Sequence, residues 1–279
     1  MDKSILAPAE IVGAALNAGK AKAERKFMPM LVLAVLAGAF IAFAAEASNM
    51  AAFNLLGDPS TFGLGRCLAG SIFAGGLMLV VLTGAELFTG NTLICIAVYE
   101  KQVKFGSMMR NWGIVYVGNF IGSVLIAFMM IHTGLLGSSE GALGAMTIKI
   151  AMNKVNMGFM AALFSGIMCN WLVCLAVWIA FAANTVQGKI LGIFFPIWMF
   201  VTSGFEHCVA NMYYIPAGIM AKAGYAQAGG FSQEMLDSLT WGTFVTGNLI
   251  PATIGNIIGG VLFVGTAYWF ALYRPSKNK

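Results

Sequence analysis

The sequence predicts an all-α integral membrane protein with six transmembrane helices, arranged as two inverted repeats of three helices. Hydrophobic residues make up 59% of the chain and charged residues 10%, a composition that excludes an ordinary soluble domain. Six apolar stretches are long enough to cross a bilayer. A short polar motif interrupts the second stretch and recurs in the fifth, which is typical of a pore built from two matching halves.

The first element, residues 1–26, is predicted to be an amphipathic helix at the cytoplasmic face of the membrane. Pro8 fits the first turn of a helix, and Glu10 suits a helix N-terminus. An apolar stripe follows at Ile11, Val12, Ala15 and Leu16. Because a basic segment comes next, we expect this helix to lie at the interface, as an anchor or as a cap on the inner mouth.

The transmembrane channel domain is predicted over residues 27–273. Its spans are 27–48, 67–84, 111–132, 157–183, 190–203 and 243–271. The second span resumes at 92–99 and the fifth at 208–221, so each is read as one broken helix. Six spans place both termini on one side of the membrane, with residues 274–279 as a C-terminal tail there.

The basic residues predict which side faces the cytoplasm. Of 16 Lys and Arg residues, 12 fall on the side of the termini. The other four are Arg66, Lys149, Lys154 and Lys222. This bias indicates cytoplasmic termini. It also explains the net charge of +5 without a nucleic-acid partner, although a basic surface of this kind can contact anionic membrane lipid.

The two interruptions share one pattern, Gly-x-Glu followed by four residues and Asn. The first reads GAELFTGN over 84–91 and the second GFEHCVAN over 204–211. A carboxylate at membrane depth is costly unless it lines a path enclosed by protein or filled with water. The matching motifs therefore predict a permeation site where the two breaks meet, near the midplane.

A second repeat supports the two halves. GNFIG occupies 118–122 in the third span, and GNIIG occupies 255–259 in the sixth. The GxxxG spacing allows two helices to approach closely in lipid. Three spans per half is an odd number, so the second half must be inverted in the membrane.

Several polar side chains of the breaks could carry the chemistry. His207, beside Glu206, can exchange a proton near neutral pH, or it can hold backbone groups freed by the break. Glu86 and Glu206 could form the anionic rings of a cation channel; the neighbouring unwound backbone favours a structural role instead. Thr89 and Asn91 are neutral donors that suit an anion or a polar neutral molecule. Asn211 completes this central polar set.

Other functional classes are less well supported by the sequence. A channel for small neutral solutes, of the ammonia or water type, remains an alternative, although the aquaporin Asn-Pro-Ala pair is replaced by IPA at 215–217 and 250–252. No Walker motif, zinc-type cluster or catalytic triad indicates an enzyme. The five cysteines fall mostly in apolar spans and are interpreted as small buried hydrophobes. The sequence predicts no metal and no cofactor.

From the first span to the last, the chain resembles the formate/nitrite transporter family. The resemblance is carried by GAELFT at 84–89, NWLVCLAVW at 170–178, SGFEHCVANM at 203–212 and NLIPATIGN at 248–256. It implies a homopentamer in a bacterial inner membrane, with an aquaporin-like pore in each protomer. It also implies small monovalent anions as substrates, with formate first and nitrite or hydrosulfide close behind.

The same resemblance assigns positions along the pore. It places His207 and Thr89 at the centre, with Glu206 as the acid beside the histidine. Its hydrophobic constrictions fall at Phe73, Leu77, Leu87, Phe88 and Phe200. Its outer vestibule falls at Lys154 and Asn170. Because a lone charge in apolar surroundings is expensive, we expect the anion to cross with a proton or as the protonated acid.

Overall fold

The computed structural model describes residues 5–274 and is helical throughout. Its helices are α1 (Pro8–Ala23), α2 (Phe27–Gly57), α3 (Phe62–Thr83), α4 (Phe88–Tyr99), α5 (Phe105–His132), α6 (Ala142–Val155), α7 (Phe159–Ala182), α8 (Val186–Ser203), α9 (Cys208–Tyr225), α10 (Gln233–Asp237) and α11 (Trp241–Tyr273). Residues 1–4, and the part 275–279 of the predicted tail, lie outside the described residues.

Six of these helices are long and apolar enough to cross a membrane, which confirms the predicted number of spans. They are α2, α3, α5, α7, α8 and α11. Several run past the predicted ends; α2 continues to Gly57 instead of stopping near residue 48. The extra turns still bury Asn49, Ala52 and Phe53, so packing against neighbouring helices maintains a helix where hydropathy alone would end it.

Helix α1 packs against the channel body through the predicted apolar stripe. Ile11, Val12, Ala15 and Leu16 are all buried, and α1 contacts α4, α7 and the end of α11. Just before α1, the Leu6 amide donates to the Ala182 carbonyl at 2.9 Å. The first and last described segments therefore lie on the same side of the molecule.

The GxxxG motifs bring two pairs of helices into close contact, as predicted. A Cβ added at Gly122 would collide with the Val35 carbonyl of α2, and one added at Gly259 would collide with the Ile167 carbonyl of α7. Val35 and Ile167 are 132 residues apart, and the two glycines are 137 apart. Helix α5 thus packs closely against α2, and α11 packs in the same way against α7. Equivalent contacts of this kind are expected of two repeated halves.

Both breaks begin at a glycine in the left-handed conformation. Gly84 (φ +77°) follows α3, and Gly204 (φ +84°) follows α8. This conformation ends a helix readily at glycine because no Cβ opposes it. The backbone is non-helical only at 84–87 and 204–207, since α4 and α9 begin at Phe88 and Cys208. Half of each eight-residue motif is therefore already helical.

Candidate functional site

The start of α4 is fixed by the side chain of Asn119. Its Oδ1 accepts a hydrogen bond from the Phe88 amide at 2.9 Å. Its Nδ2 donates to the Glu86 carbonyl at 2.9 Å and to the Ala34 carbonyl at 2.8 Å. One buried amide thus satisfies backbone groups that the break leaves without helical partners.

Asn256 does the same for the second break. Its Oδ1 accepts from the Cys208 amide at 2.9 Å, and its Nδ2 donates to the carbonyls of Glu206 and Gly166 at 2.9 and 2.8 Å. These asparagines belong to the two GNxIG motifs, for which the sequence predicted only close helix packing. Their recurrence between the two glycines was the signal that could have revealed the capping role.

Glu86 is enclosed by a polar network on the α1 side. Its Oε2 accepts from Asn91 Nδ2 at 2.7 Å and from Lys22 Nζ at 3.0 Å. Asn91 Nδ2 also donates to Asn111 Oδ1 at 2.9 Å, and Asn111 Nδ2 donates to the Lys22 carbonyl at 3.1 Å. Arg25 Nε lies 3.5 Å from Glu86 Oε1. The sequence had predicted neither Lys22 nor Asn111 as part of the site.

Glu206 has an equivalent network on the α6 side. It accepts from Lys154 Nζ at 2.7 Å, from Asn211 Nδ2 at 2.6 Å and from Asn248 Nδ2 at 2.8 Å. Asn211 Nδ2 also donates to Asn248 Oδ1 at 2.7 Å, and Asn248 Nδ2 donates to the Lys154 carbonyl at 3.1 Å. Lys154 follows Lys22 by 132 residues. Helix α1 therefore takes in the first half the place that α6 takes in the second.

Two cavities lead toward the breaks from opposite sides. The α6 cavity, of about 620 Å³, reaches Phe73, Phe200 and His207. Its charged lining consists of Arg66, Lys149, Lys154 and Glu206. The α1 cavity, of about 220 Å³, reaches Leu77 and Leu87. Its charged lining consists of Lys22, Arg25, Lys189 and Glu86. Three cations and one carboxylate give each cavity a formal charge of +2.

A dry layer separates the two cavities. Phe73 and Phe200 meet edge to face with ring centroids 5.7 Å apart at the floor of the α6 cavity. Leu77 and Leu87 close the α1 cavity from the other side. All four side chains are buried, with exposed fractions of 2–3%. A charged solute would have to shed its water to pass between them.

His207 and Thr89 form a hydrogen-bonded pair across the two breaks. His207 Nε2 lies 3.0 Å from Thr89 Oγ1, and both side chains are buried. His207 Nδ1 accepts a hydrogen bond from the Ala210 amide at 3.0 Å. Since the backbone amide can only donate, Nδ1 carries no proton and Nε2 carries one. The imidazole is thus neutral and donates to the Thr89 hydroxyl.

Two of the residues that the resemblance assigned to the pore, Phe88 and Asn170, are buried and line neither cavity. Phe88 packs its ring against Tyr116, with centroids 4.9 Å apart, and against Trp112; it lines neither cavity. Asn170 does not line the α6 cavity either. It is fully buried and donates to the carbonyls of Thr89 and Asn256 at 3.2 and 2.6 Å, so it supports the central pair from behind.

Within the described residues, no group of three or more His, Cys, Asp or Glu side chains is placed to hold a metal ion. All five cysteines are free thiols, and four of them are buried.

The sequence is similar over nearly its whole length to one known family and to several of its members. A profile of the family described as "Formate/nitrite transporter" matches residues 9–270. The uncharacterized transporter YrhG of Bacillus subtilis is 42% identical over 276 residues, covering 98% of this chain and 96% of the relative. The formate channel FocA of Escherichia coli K12 is 38% identical over 278 residues, covering 98% and 97%.

Solved structures share the fold. A structure titled "Pentameric formate channel with formate bound" superposes with a TM-score of 0.79 at 35% identity, covering 88% of this chain and 96% of that one. A second, titled "FNT family ion channel", gives a TM-score of 0.80 at 29% identity, covering 94% and 98%.

Proposed function

The chain belongs to the formate/nitrite transporter family, and we propose that it is a channel that carries formate across the inner membrane of a bacterium. Its relatives include formate channels and a probable formate transporter. A solved relative is described as a pentamer with formate bound, which supports a homopentamer here. Nitrite, which the family description also names, and hydrosulfide are the next candidate substrates.

The charge of the two cavities is the observation that best supports an anion as the substrate. Each cavity is lined by three cationic side chains and one carboxylate. A cleft of one sign of charge concentrates the opposite ion and speeds its arrival. A channel for neutral solutes has no use for such a field, and a channel for cations would be hindered by it.

The dry layer then decides the form in which the substrate crosses. A bare anion between the Phe73–Phe200 pair and Leu77 would lose its hydration without gaining a counter-charge, at a cost of several kcal/mol or more. The protonated acid avoids that cost. We therefore assign passage to the neutral acid, or to the anion together with a proton.

The His207–Thr89 pair supplies the polar contact inside this layer. Because His207 Nδ1 is committed to the Ala210 amide, the ring acts as a hydrogen-bond donor through Nε2. A relay would require Nδ1 to take up a proton and give up that bond. We propose that the substrate receives its proton in the cavities, and that His207 orients the Thr89 hydroxyl toward it.

The orientation follows from the distribution of basic residues. The α1 cavity faces the cytoplasm, as do both termini, and the α6 cavity faces the other side of the membrane. Membrane lipid surrounds the exposed apolar faces of α2, α5 and α7 wherever neighbouring protomers do not. The protein moves its substrate without chemical conversion and needs no cofactor or nucleic acid.

A flux panel tests this function. Purified protein in liposomes should take up formate, nitrite or hydrosulfide, faster when the entry side is more acidic, because the neutral acid is then more abundant. Protein-free liposomes give the background leak. Flux of Na⁺ or K⁺ without these anions would overturn the proposal. Flux of ammonia or water alone would identify a neutral-solute channel instead.

A further inference from the structure

The wall of the α6 cavity contains an amide that makes no hydrogen bond among the described residues. Asn49 of α2 is 3% exposed and lines this cavity. Its Nδ2 is buried and has no partner. Buried polar groups are almost always paired in native proteins. An unpaired amide at a cavity wall therefore indicates a partner that comes from the cavity.

A hydrogen bond of the neighbouring residue, Ser48, shows how deep in the α6 cavity Asn49 lies. Ser48 Oγ donates to the Ala69 carbonyl at 2.9 Å, which sets this turn of α2 beside Ala69 on α3. Arg66 precedes Ala69 by three residues and Phe73 follows it by four, so all three share one face of α3. All of them line the α6 cavity. Asn49 thus lies at a level between Arg66 and the dry layer.

Arg66 supplies positive charge at the same place. Its Nε donates to the Thr202 carbonyl at 3.2 Å, and its Nη2 donates to the Val201 carbonyl. Within the described residues no carboxylate lies within ion-pair distance of it. Glu206 is held by Lys154. Glu46, one turn before Asn49, accepts a hydrogen bond from Tyr213 and does not line the cavity.

We propose that Asn49 and Arg66 form a holding subsite for a small monovalent oxyanion at the floor of the α6 cavity. This inference rests on the proposed function and narrows its substrate class. The amide donates a hydrogen bond to one oxygen, and the guanidinium attracts the charge. Formate and nitrite have oxygen acceptors for both groups, whereas hydrosulfide offers a single, weakly accepting sulfur.

The subsite exists on one side of the membrane. The residue that follows Asn49 by 132 positions is Phe181, which lines the α1 cavity. The equivalent position is thus an amide in the α6 cavity, at Asn49, and an aromatic ring in the α1 cavity, at Phe181. A substrate that arrives from the α6 side meets the subsite before the dry layer.

The initial rate of formate flux across proteoliposomes that hold the protein in a known orientation, measured against formate concentration on each side, tests the proposal. Asn49→Leu removes the donor at similar volume. For formate on the α6 side we expect the half-saturating concentration to rise about tenfold, the effect of one lost charge-assisted hydrogen bond, while the plateau rate of flux stays near that of the parent. For formate on the α1 side we expect no change.

Asn153→Leu is the matched control, because it removes an exposed amide from the same cavity; it should behave like the parent. Asn49→Ala removes the donor without adding an apolar side chain and should reproduce the shift, whereas Asn49→Thr retains a donor and should recover most of the affinity. Each variant is first checked as an assembled oligomer by gel filtration.

If the Asn49 variants saturate like Asn153→Leu on both sides, the amide is merely hydrated and the subsite is refuted. If Asn49→Leu raised the half-saturating concentration of hydrosulfide as much as that of formate, the oxyanion assignment would also be refuted. A parent channel that conducts formate on neither side would contradict the proposed function itself, and the subsite with it.

Discussion

At the scale of single residues, His207 is held in place by hydrogen bonds at both of its ring nitrogens. Nδ1 accepts from the Ala210 amide and Nε2 faces Thr89. An asparagine can provide both an acceptor and a donor but cannot titrate. We expect His207→Asn to keep formate flux within about threefold of the parent with the same pH profile, since its carbonyl still accepts from the Ala210 amide and its NH2 group still faces Thr89, although from farther away than Nε2.

His207→Leu is the control for this prediction. It leaves the Ala210 amide and the Thr89 hydroxyl without their partner, so we expect formate flux to fall about tenfold or more. Proteoliposome flux between pH 5 and 8 measures both variants. If His207→Asn abolished the rise of flux toward acidic pH, His207 would be a proton relay after all.

The sequence was sufficient to predict some of these residues and insufficient for others. His207 and Glu206 stand inside a break in an apolar span, and Thr89 lies just past the other break; a polar side chain is costly there and therefore informative. Lys22 could not be predicted as a partner of Glu86, because it lies 64 residues away in a helix outside the spans. Asn49 follows the predicted end of the first span at residue 48, and nothing in the sequence marks its amide as unpaired.

At the scale of helices and loops, each break depends on one buried asparagine. Asn119→Ala would leave the Phe88 amide and the Glu86 and Ala34 carbonyls without the partner that Asn119 supplies. We expect the free energy of unfolding to fall by about 2 kcal/mol or more, since each buried unpaired group costs about 1–3 kcal/mol. Thermal unfolding of the purified oligomer, followed by circular dichroism, measures the loss.

Asn256→Ala should have a comparable effect, because Asn256 makes the same three kinds of contact at the second break. Asn153→Ala, at an exposed position, serves as the control and should unfold with the parent. Equal stability of Asn119→Ala and the control would mean that the breaks are held by helix packing alone.

The helices themselves were easier to predict than their ends. Apolar stretches of about 20 residues identify spans because the bilayer sets their length. Helix α2 nevertheless runs 31 residues, since its last turns pack on protein, and hydropathy does not register that contact. The first break was predicted to last until residue 92, but α4 already begins at Phe88, because the cap that restarts it comes from Asn119 of α5. The second break was predicted correctly, since α9 resumes at Cys208.

At the scale of the whole molecule, the cationic side chains of the α6 cavity differ in whether they are paired with a carboxylate. Lys154 is bonded to Glu206, so reversing its charge would disrupt the break along with the field. Lys149 is exposed, has no ion-pair partner among the described residues and lines the same cavity. Lys149→Glu would lower the formal charge of the α6 cavity from +2 to zero.

We expect Lys149→Glu to slow formate entry from the α6 side by about two- to tenfold at low ionic strength, because steering by a charged cleft weakens. The difference should disappear above about 0.5 M salt, where screening acts over a few ångströms. Lys149→Gln should give an intermediate rate, and entry from the α1 side should stay unchanged. A salt-independent loss would indicate damage to packing instead.

The two inverted halves match in the residues that hold the breaks and differ at the central pair. Positions occupied by the same residue in both copies, such as Glu86 and Glu206 or Asn119 and Asn256, are those on which the backbone depends. The central pair breaks this match: Leu87 corresponds to His207, and Thr89 corresponds to Val209, each 120 residues on. A pore of two identical units would have equivalent mouths. Because the two halves differ at the centre, a solute that enters from one mouth meets its polar and apolar contacts in a different order from a solute that enters from the other.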